Sequence, residues 1–233
     1  MQTNINRNNI NEKKNNCAVI IYGSRFGPSM KTFGPKFLYK DYYGKPIIET
    51  QIRVVKEVLP NAEIILVTGY LSERITRYKQ ENVRIVENQL FLTHNDTEDI
   101  RLALNNTSKE NIITISADMI FNKYTLQNIM SEPLLVYDSK HQLHDSEIGV
   151  TMTNNEIINI NFDIINKWCH IGFFEKKHLT QLTYLCSREN KSQYLFEIIN
   201  IMLDNGYKFK AYEPNNMKIH KIDTSKKIRN YKI

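Results

Sequence analysis

Cys17-Ala18-Val19-Ile20-Ile21-Tyr22-Gly23-Ser24-Arg25 is the stretch from which the fold can be read. Six uncharged, largely apolar residues run without alternation into a glycine. A strand with one wet face alternates apolar and polar residues, whereas a strand covered on both faces does not. The run therefore predicts a buried strand that opens into a loop at Gly23. Downstream, Ile48, Ile52, Val55 and Leu59 recur at helical spacing, with Pro46 suited to the first turn and Pro60 closing the element.

The strand-loop-helix unit then repeats. Glu63 to Thr68 reads as a second buried strand, Ser72 is placed to cap a short helix through Tyr78, and Val83 to Glu87 reads as a third strand. Asn95 or Asp96 is a cap for a helix carrying Ile100, Ala103 and Leu104, and Asn111 to Ser116 is a strand ending at Ala117-Asp118. Leu134 to Tyr137 makes a further strand. This alternation predicts an α/β fold with a Rossmann-like, doubly wound, mixed but mostly parallel sheet, whose ligands gather beyond the carboxyl ends of the strands. Gly23 and Asp118 fall at such ends. After Tyr137 the pattern changes. Ile148 to Thr153 and Glu156 to Ile160 flank Asn154-Asn155, a two-residue hairpin turn, and this β-hairpin insertion is expected over the site. Ile171 to Phe174 is one more strand. Leu195, Ile198, Ile199, Met202 and Leu203 form a helical face closed at Asn205-Gly206, and Lys208 to Tyr212 is a late strand.

At 233 residues, 41% hydrophobic and 24% charged, the chain can bury one substantial core, and a single domain over residues 17–233 is expected. Residues 1–16, rich in Asn and Lys, have little to bury and lack the apolar core of a secretory signal; a short disordered lead-in is expected. No apolar run approaches the roughly 20 residues of a membrane-spanning helix. Three cysteines, Cys17, Cys169 and Cys186, cannot all pair within the chain and form no Cys-x-x-Cys, which suits a reducing cytoplasm. The formal charge is +6, but the cations are scattered and not interleaved with aromatics, so anionic nucleotides are expected as partners in preference to nucleic acid. The histidines, His141 and His144 among them, show no helix-spaced zinc pattern. Ser24 has no visible base partner for a hydrolase triad.

The loop Tyr22-Gly23-Ser24-Arg25-Phe26-Gly27-Pro28 follows a buried strand, so its backbone N–H groups are candidates for holding a triphosphate. Gly34-Pro35-Lys36-Phe37-Leu38 and Gly44-Lys45-Pro46-Ile47-Ile48 follow in order. This order resembles the sugar-phosphate and alcohol-phosphate nucleotidyltransferases, which open on A-V-I-L-A-A-G-x-G-x-R, then P-K-x-L, then G-K-P-I-I. Val67-Thr68-Gly69-Tyr70 with Glu73 and Ile75 looks like the second-strand segment of members acting on choline phosphate and similar substrates. Asn88 and Thr93-His94-Asn95-Asp96-Thr97-Glu98-Asp99-Ile100 resemble the polar segment that in those relatives helps hold the base. Ser116-Ala117-Asp118 stands where the family has its strand-end metal aspartate, and Ile222-Asp223-Thr224-Ser225 looks like the late I-D-T that supplies the second. The glycine loop departs from the family: Tyr22-Gly23-Ser24 replaces its small residues, and two registers are possible. In one, Gly23 takes the second glycine and Arg25 the signature arginine; in the other, which matches Ala18 to Ile21 with A-V-I-L, no loop glycine or arginine coincides. The first is adopted.

The resemblance implies a nucleotide-diphospho-sugar transferase fold and transfer of a nucleoside monophosphate from an NTP, CTP before the others, to a phosphorylated sugar or alcohol with Mg²⁺ as cofactor. It implies Arg25, Lys36 and Asp118 as catalytic residues, and Tyr22, Gly23, Ser24, Arg25, Lys36, Gly69 and Asn95 as the nucleotide-binding set. Asp118 and Asp223 would be the metal ligands. Such chemistry accumulates charge at the α-phosphorus, which metal and cations must offset, and it needs no covalent nucleophile. Trp168, Cys169 and His170 lie where relatives contact the acceptor, though core packing is the commoner role for such residues. Two other readings remain: a glycosyltransferase on the same fold, against which stands the lack of a D-x-D motif, and a non-catalytic binding descendant, which the altered glycine loop favours. A homo-oligomer is compatible with the sequence.

Overall fold

The computed structural model describes residues 12–141 and 147–222. In chain order the elements are β1 Cys17–Tyr22, α1 Ile47–Val58, β2 Glu63–Thr68, β3 Val83–Glu87, α2 Asp96–Leu104, β4 Asn111–Ser116, β5 Met119–Phe121, β6 Leu134–Asp138, β7 Ile148–Thr153, β8 Glu156–Phe162, β9 Asn166–Phe174, α3 Lys176–Leu185, α4 Leu195–Asp204, β10 Lys210–Tyr212 and β11 Ile219–Lys221. Nine strands form one sheet in the order β3-β2-β1-β4-β9-β6-β10-β8-β7, and β5 pairs with β11 as a separate ribbon.

The fold is α/β with a mixed sheet. β3, β2, β1 and β4 are parallel, but β9 runs against both β4 and β6. Farther out, only β10 with β6 is parallel, and β7 and β8 pair antiparallel with their neighbours. The expectation of a mostly parallel sheet therefore holds for the first half alone. For the β7–β8 pair connection length is the cause: only Asn154-Asn155 separates the two strands, too few for the crossover that a parallel pair needs. The hairpin is present, with both asparagines at positive φ. It is built into the far edge of the sheet, and its ends at Ile148 and Phe162 reach the cleft described below.

β1 is the centre of this arrangement. All six of its residues are at most 3% exposed, because alternate side chains serve two cores. Cys17, Val19 and Ile21 pack in the core of α1 with Ile48, Ile52 and Val55. Ala18, Ile20 and Tyr22 face the core of the other helices, with Ile100 and Ala103 of α2, Leu182 of α3 and Ile198 of α4. The chain moves from β1 through β2 to β3 on one side and returns to β4 on the other. The loops after β1 and β4 consequently diverge, leaving a crevice at their carboxyl ends.

Several elements differ from the sequence reading. Residues 72–78 form two 3₁₀ turns without a side-chain cap. Pro46 is the N-cap of α1 rather than part of its first turn. β9 begins at Asn166, five residues early, and β5, β11 and α3 were not anticipated. Ahead of β1, Asn16 N–H donates to Glu12 O at 3.1 Å, and Lys13 pairs with Glu175 at 3.2 Å.

Where β1 and β4 end, a Cβ built on Gly23 would lie 2.4 Å from the Ala117 Cβ. Only hydrogen fits there. Gly23→Ala is expected to cost about 1–3 kcal/mol by forcing the two strand ends apart; urea denaturation checks it, and an unchanged midpoint would show that the ends yield freely.

Candidate active site

A cleft of about 250 Å³ opens at the carboxyl ends of β1 and β4. Lys36 reaches it from the loop after β1. Gly34, at φ 86°, makes the turn, and the one-turn 3₁₀ helix Lys36–Leu38 buries Phe37, which anchors the segment. Lys36 Nζ lies 3.1 Å from Asp118 Oδ2, with the lysine side chain 22% and the aspartate 5% exposed. Ser116 Oγ donates to Asp118 Oδ1 at 2.6 Å. The turn itself is held from below by Gln51 of α1, whose Nε2 donates to Met119 O at 2.7 Å and lies within 3.4 Å of the Ser116 and Ala117 carbonyls.

Burial alone would raise the Asp118 carboxyl, but the charges of Lys36 and Lys221 and the Ser116 hydroxyl together hold it well below the usual carboxylate range. For Lys36, burial opposes the charge and the Asp118 carboxylate outweighs it, so its ammonium is held more firmly than usual. Asp118 is thus ionised at neutral pH and surrounded by cations.

The second cation, Lys221, is delivered by the β5–β11 ribbon. Lys221 pairs with Met119 in register, and Ile222 N–H donates to Asp118 O at 2.8 Å. Lys221 Nζ lies 3.4 Å from His170 Nε2. His170 has φ 52° and sits where the β9–β6 register shifts; such irregularities re-aim side chains beside functional sites. Its ring lies 4.6 Å from that of Trp168. Burial, then Lys221, keeps the imidazole neutral, far below its ordinary titration range.

The opposite wall is the amino end of α2. Arg25 donates to Asn95 Oδ1, and Asn95 Nδ2 donates to Ser192 O. Neither Asn95 nor Asp96 caps its own helix through its side chain. Asp96 Oδ1 instead accepts the Leu195 N–H, at the start of α4, at 2.8 Å. Burial foremost, with Asp99 adding to it against that hydrogen bond, raises the Asp96 carboxyl to about 7. Asp99, buried, is raised to about 6. Phe162, Tyr194 and Phe196 add an aromatic flank, with Tyr194 stacked on Phe196 at 5.9 Å.

Of the residues expected from sequence, Tyr22, Gly23, Arg25, Lys36, Asn95 and Asp118 line this one cleft. Ser24 and Gly69 do not. Ser24 is buried behind it, its N–H donating to Asp99 Oδ2 and its carbonyl accepting the Tyr70 N–H. Gly69 packs under the same loop, where an added Cβ would lie 2.9 Å from Ser24 O. The Gly23 N–H is also turned inward, to Val67 O at 3.2 Å. Neither of these two N–H groups is therefore free for a phosphate. Asp223 and His144 lie outside the described residues. Among the described residues no group of three or more His, Cys, Asp or Glu is arranged to hold a metal. Lys221 and Gln51 carry no mark in the sequence reading, which offers Asn95 or Asp96 as the cap of α2; Asn95 holds that position without a side-chain cap bond. A lysine one residue from the I-D-T string was the only available signal for Lys221.

No protein-family model matches the sequence, and no curated protein matches it. Solved structures do match. The CTP:phosphocholine cytidylyltransferase of Streptococcus pneumoniae is 21% identical, with 91% of this chain and 96% of that chain covered at a TM-score of 0.72. The inositol-1-phosphate CTP transferase of T. maritima is 16% identical, with 91% of each chain covered at 0.74. A nucleoside-diphosphate-sugar pyrophosphorylase of Vibrio cholerae is 13% identical, with 90% and 97% covered at 0.67. The chain has the fold of these nucleotidyltransferases over nearly its whole length.

The acidic wall carries a stability cost with a defined sign. Asp96 is raised from the ordinary value of 3.8 to about 7. The folded state therefore holds this proton where the unfolded state has lost it, and stability falls as pH rises through that interval. Asp96→Asn keeps an acceptor for Leu195 and removes the ionisation. Its melting temperature is expected to exceed wild type by a few degrees at pH 8 and to converge with it near pH 4. A gap of equal size at both pH values would show that ionisation is not the cause.

Proposed function

We propose that this chain is a nucleotidyltransferase that moves a nucleoside monophosphate from an NTP, CTP by preference, to the phosphate of a phosphorylated sugar or alcohol. One observation carries the reading: the ion pair of Lys36 with the ionised Asp118, 3.1 Å apart, at the carboxyl ends of β1 and β4 in a cleft that Lys221 also lines. Two of the structural neighbours are named as CTP enzymes, which supports the preference for CTP.

In this reading an acceptor phosphate oxygen attacks the α-phosphorus, a new P–O bond forms, and the bond to pyrophosphate breaks in line. Lys36 stands at the α-phosphate, where charge accumulates, and its firmly held proton keeps it cationic. Arg25, the outermost cation of the loop, binds the β and γ phosphates through its planar fork. Lys221, with the neutral His170 beside it, meets the acceptor phosphate. Asn95, beside Arg25, faces the nucleoside, and the β7–β8 hairpin covers the acceptor side with Ile148 and Phe162. The sheet is then doubly wound about the β1–β4 pair.

Asp118 suits Mg²⁺, being a hard, ionised oxygen donor at the cleft; Mg²⁺ takes one or two carboxylates and completes its shell with phosphate oxygens and water. Asp223 is the proposed second ligand. When bound, the ion would offset phosphate charge and fix the geometry of displacement. The buried, unpaired thiols of Cys17, Cys169 and Cys186 suit a reducing cytoplasm. A non-catalytic nucleotide-binding role is the second reading, favoured by the inward-turned N–H groups of Gly23 and Ser24.

A pyrophosphate-release assay with each NTP and a panel of sugar and alcohol phosphates tests the proposal. Release with CTP and one acceptor class is expected, falling by about 100-fold or more in Asp118→Asn. Lys221→Ala is expected to raise the acceptor KM roughly tenfold with the NTP KM little changed, as for loss of one charge-assisted contact. NTP binding without release from any acceptor would move the conclusion to the second reading, and full activity in Asp118→Asn would overturn the metal role.

A further inference from the structure

Beneath the loop that carries Arg25 lies a polar network separate from the Lys36–Asp118 pair. Asp99, 2% exposed, accepts the Ser24 backbone N–H at Oδ2, 3.0 Å away, and the Asn88 Nδ2 donor at Oδ1, 2.8 Å away. Asn88 Nδ2 also lies 3.3 Å from Ser24 Oγ. The Asn88 amide cannot turn over without loss, because its Oδ1 accepts the Leu90 N–H at 2.9 Å. Ser24 O in turn accepts the Tyr70 N–H at 2.9 Å. Ser24 is therefore held through its N–H, its carbonyl and its hydroxyl, and the next residue is Arg25, exposed and directed to Asn95.

Burying a carboxylate is costly unless its acceptors are filled, and among the described residues no cationic side chain lies within ion-pair distance of Asp99. Ordinary packing would not retain such a group. Two inward-pointing donors need two acceptors on one side chain, and a carboxylate supplies both whereas an amide supplies one.

We propose that Asp99, with Asn88, is a positioning residue for the Gly23–Gly27 loop: it takes up the Ser24 N–H and so fixes the loop in the form that projects Arg25 into the cleft to meet an NTP. The assignment of the ligand rests on the nucleotidyltransferase reading of the cleft. With the Gly23 and Ser24 N–H groups turned inward, the Arg25 side chain is what this loop presents to the cleft, and such a side chain works best when its backbone is fixed in advance. Asp99→Asn sets two NH₂ groups against each other, or an NH₂ against the Ser24 N–H. The exchanged pair Asn88→Asp with Asp99→Asn restores complementarity: the carboxylate placed at 88 accepts from Leu90 and from the amide at 99, whose carbonyl accepts from Ser24.

Two measurements on the full chain test this, with melting temperature as the check on folding. In the ligand-free protein, hydrogen exchange of residues 23–27 is expected to be slow in wild type, faster in Asp99→Asn, and slow again in the exchanged pair. Binding of CTP with Mg²⁺ is followed by the fluorescence of Trp168, the sole tryptophan, which lines the cleft. Asp99→Asn is expected to weaken binding about 10- to 100-fold, the range for one hydrogen bond to a charged group, while kcat at saturating CTP stays within about threefold and the exchanged pair recovers affinity. Unchanged loop exchange in folded Asp99→Asn overturns the proposal, as does loss of affinity that the exchanged pair fails to restore. Absence of CTP binding by wild type, with the exchange pattern as expected, instead overturns the nucleotide reading and leaves the loop-holding role established.

Discussion

An ionised carboxylate kept out of water must be surrounded by groups that offset its charge, and the centre of this protein is arranged around that need at Asp118. Lys36 stands 3.1 Å from it and Ser116 donates to it, while the field of Lys221 adds to both. These groups come from the loop after β1, the end of β4 and the β5–β11 ribbon. The ribbon's pairing at Met119–Lys221 and the Gln51 amide beneath the turn make sense as supports for one short backbone segment. Loss of the charge at 118 would leave the half-buried Lys36 ammonium without its ion-pair partner, a cost beyond loss of the pair itself.

Three carboxylates, Asp99 and Asp118 buried and Asp96 partly so, share this cleft, and their surroundings set them to opposite states. Asp118 lies among cations and stays ionised. Asp96 and Asp99 lie at the amino end of α2 near each other, where burial dominates, and they titrate near neutrality. Environment, and not residue type, assigns charge here. The outcome is a cleft with a cationic floor, an acidic wall and an aromatic flank of Phe162, Tyr194 and Phe196. Such a surface suits a ligand that is polyanionic at one end and carries an uncharged or donor-rich body at the other.

Irregular backbone also reaches this cleft. His170 adopts a left-handed conformation within a strand, and the register of β9 against β6 shifts beside it. Gly23 meets Ala117 without room for a methyl. The regular first half of the sheet, by contrast, carries its register without interruption from β3 to β4. The parallel strands hold the loops of Gly23 and Asp118, and the antiparallel half shapes the other side of the cleft.

The sequence by itself determined the local elements and the end of each at which chemistry gathers. The unbroken apolar run of Cys17 to Tyr22 required a strand covered on both faces, helical spacing fixed α1 and α4, and Asn154-Asn155 fixed a hairpin, because each depends on neighbours within a few residues. The ordered strings around Arg25, Lys36, Asn95 and Asp118 marked residues that do meet in one cleft. Only the tertiary structure decided the rest. That β9 would enter between β4 and β6, that Lys221 would stand beside Asp118, and that Asp96 would serve α4 instead of its own helix are all contacts between residues far apart in the chain. So is the pairing of Asp99 with Ser24, 75 positions away. No local pattern encodes such contacts; they arise from strand pairing and from the need to satisfy donors and charges once water has been excluded.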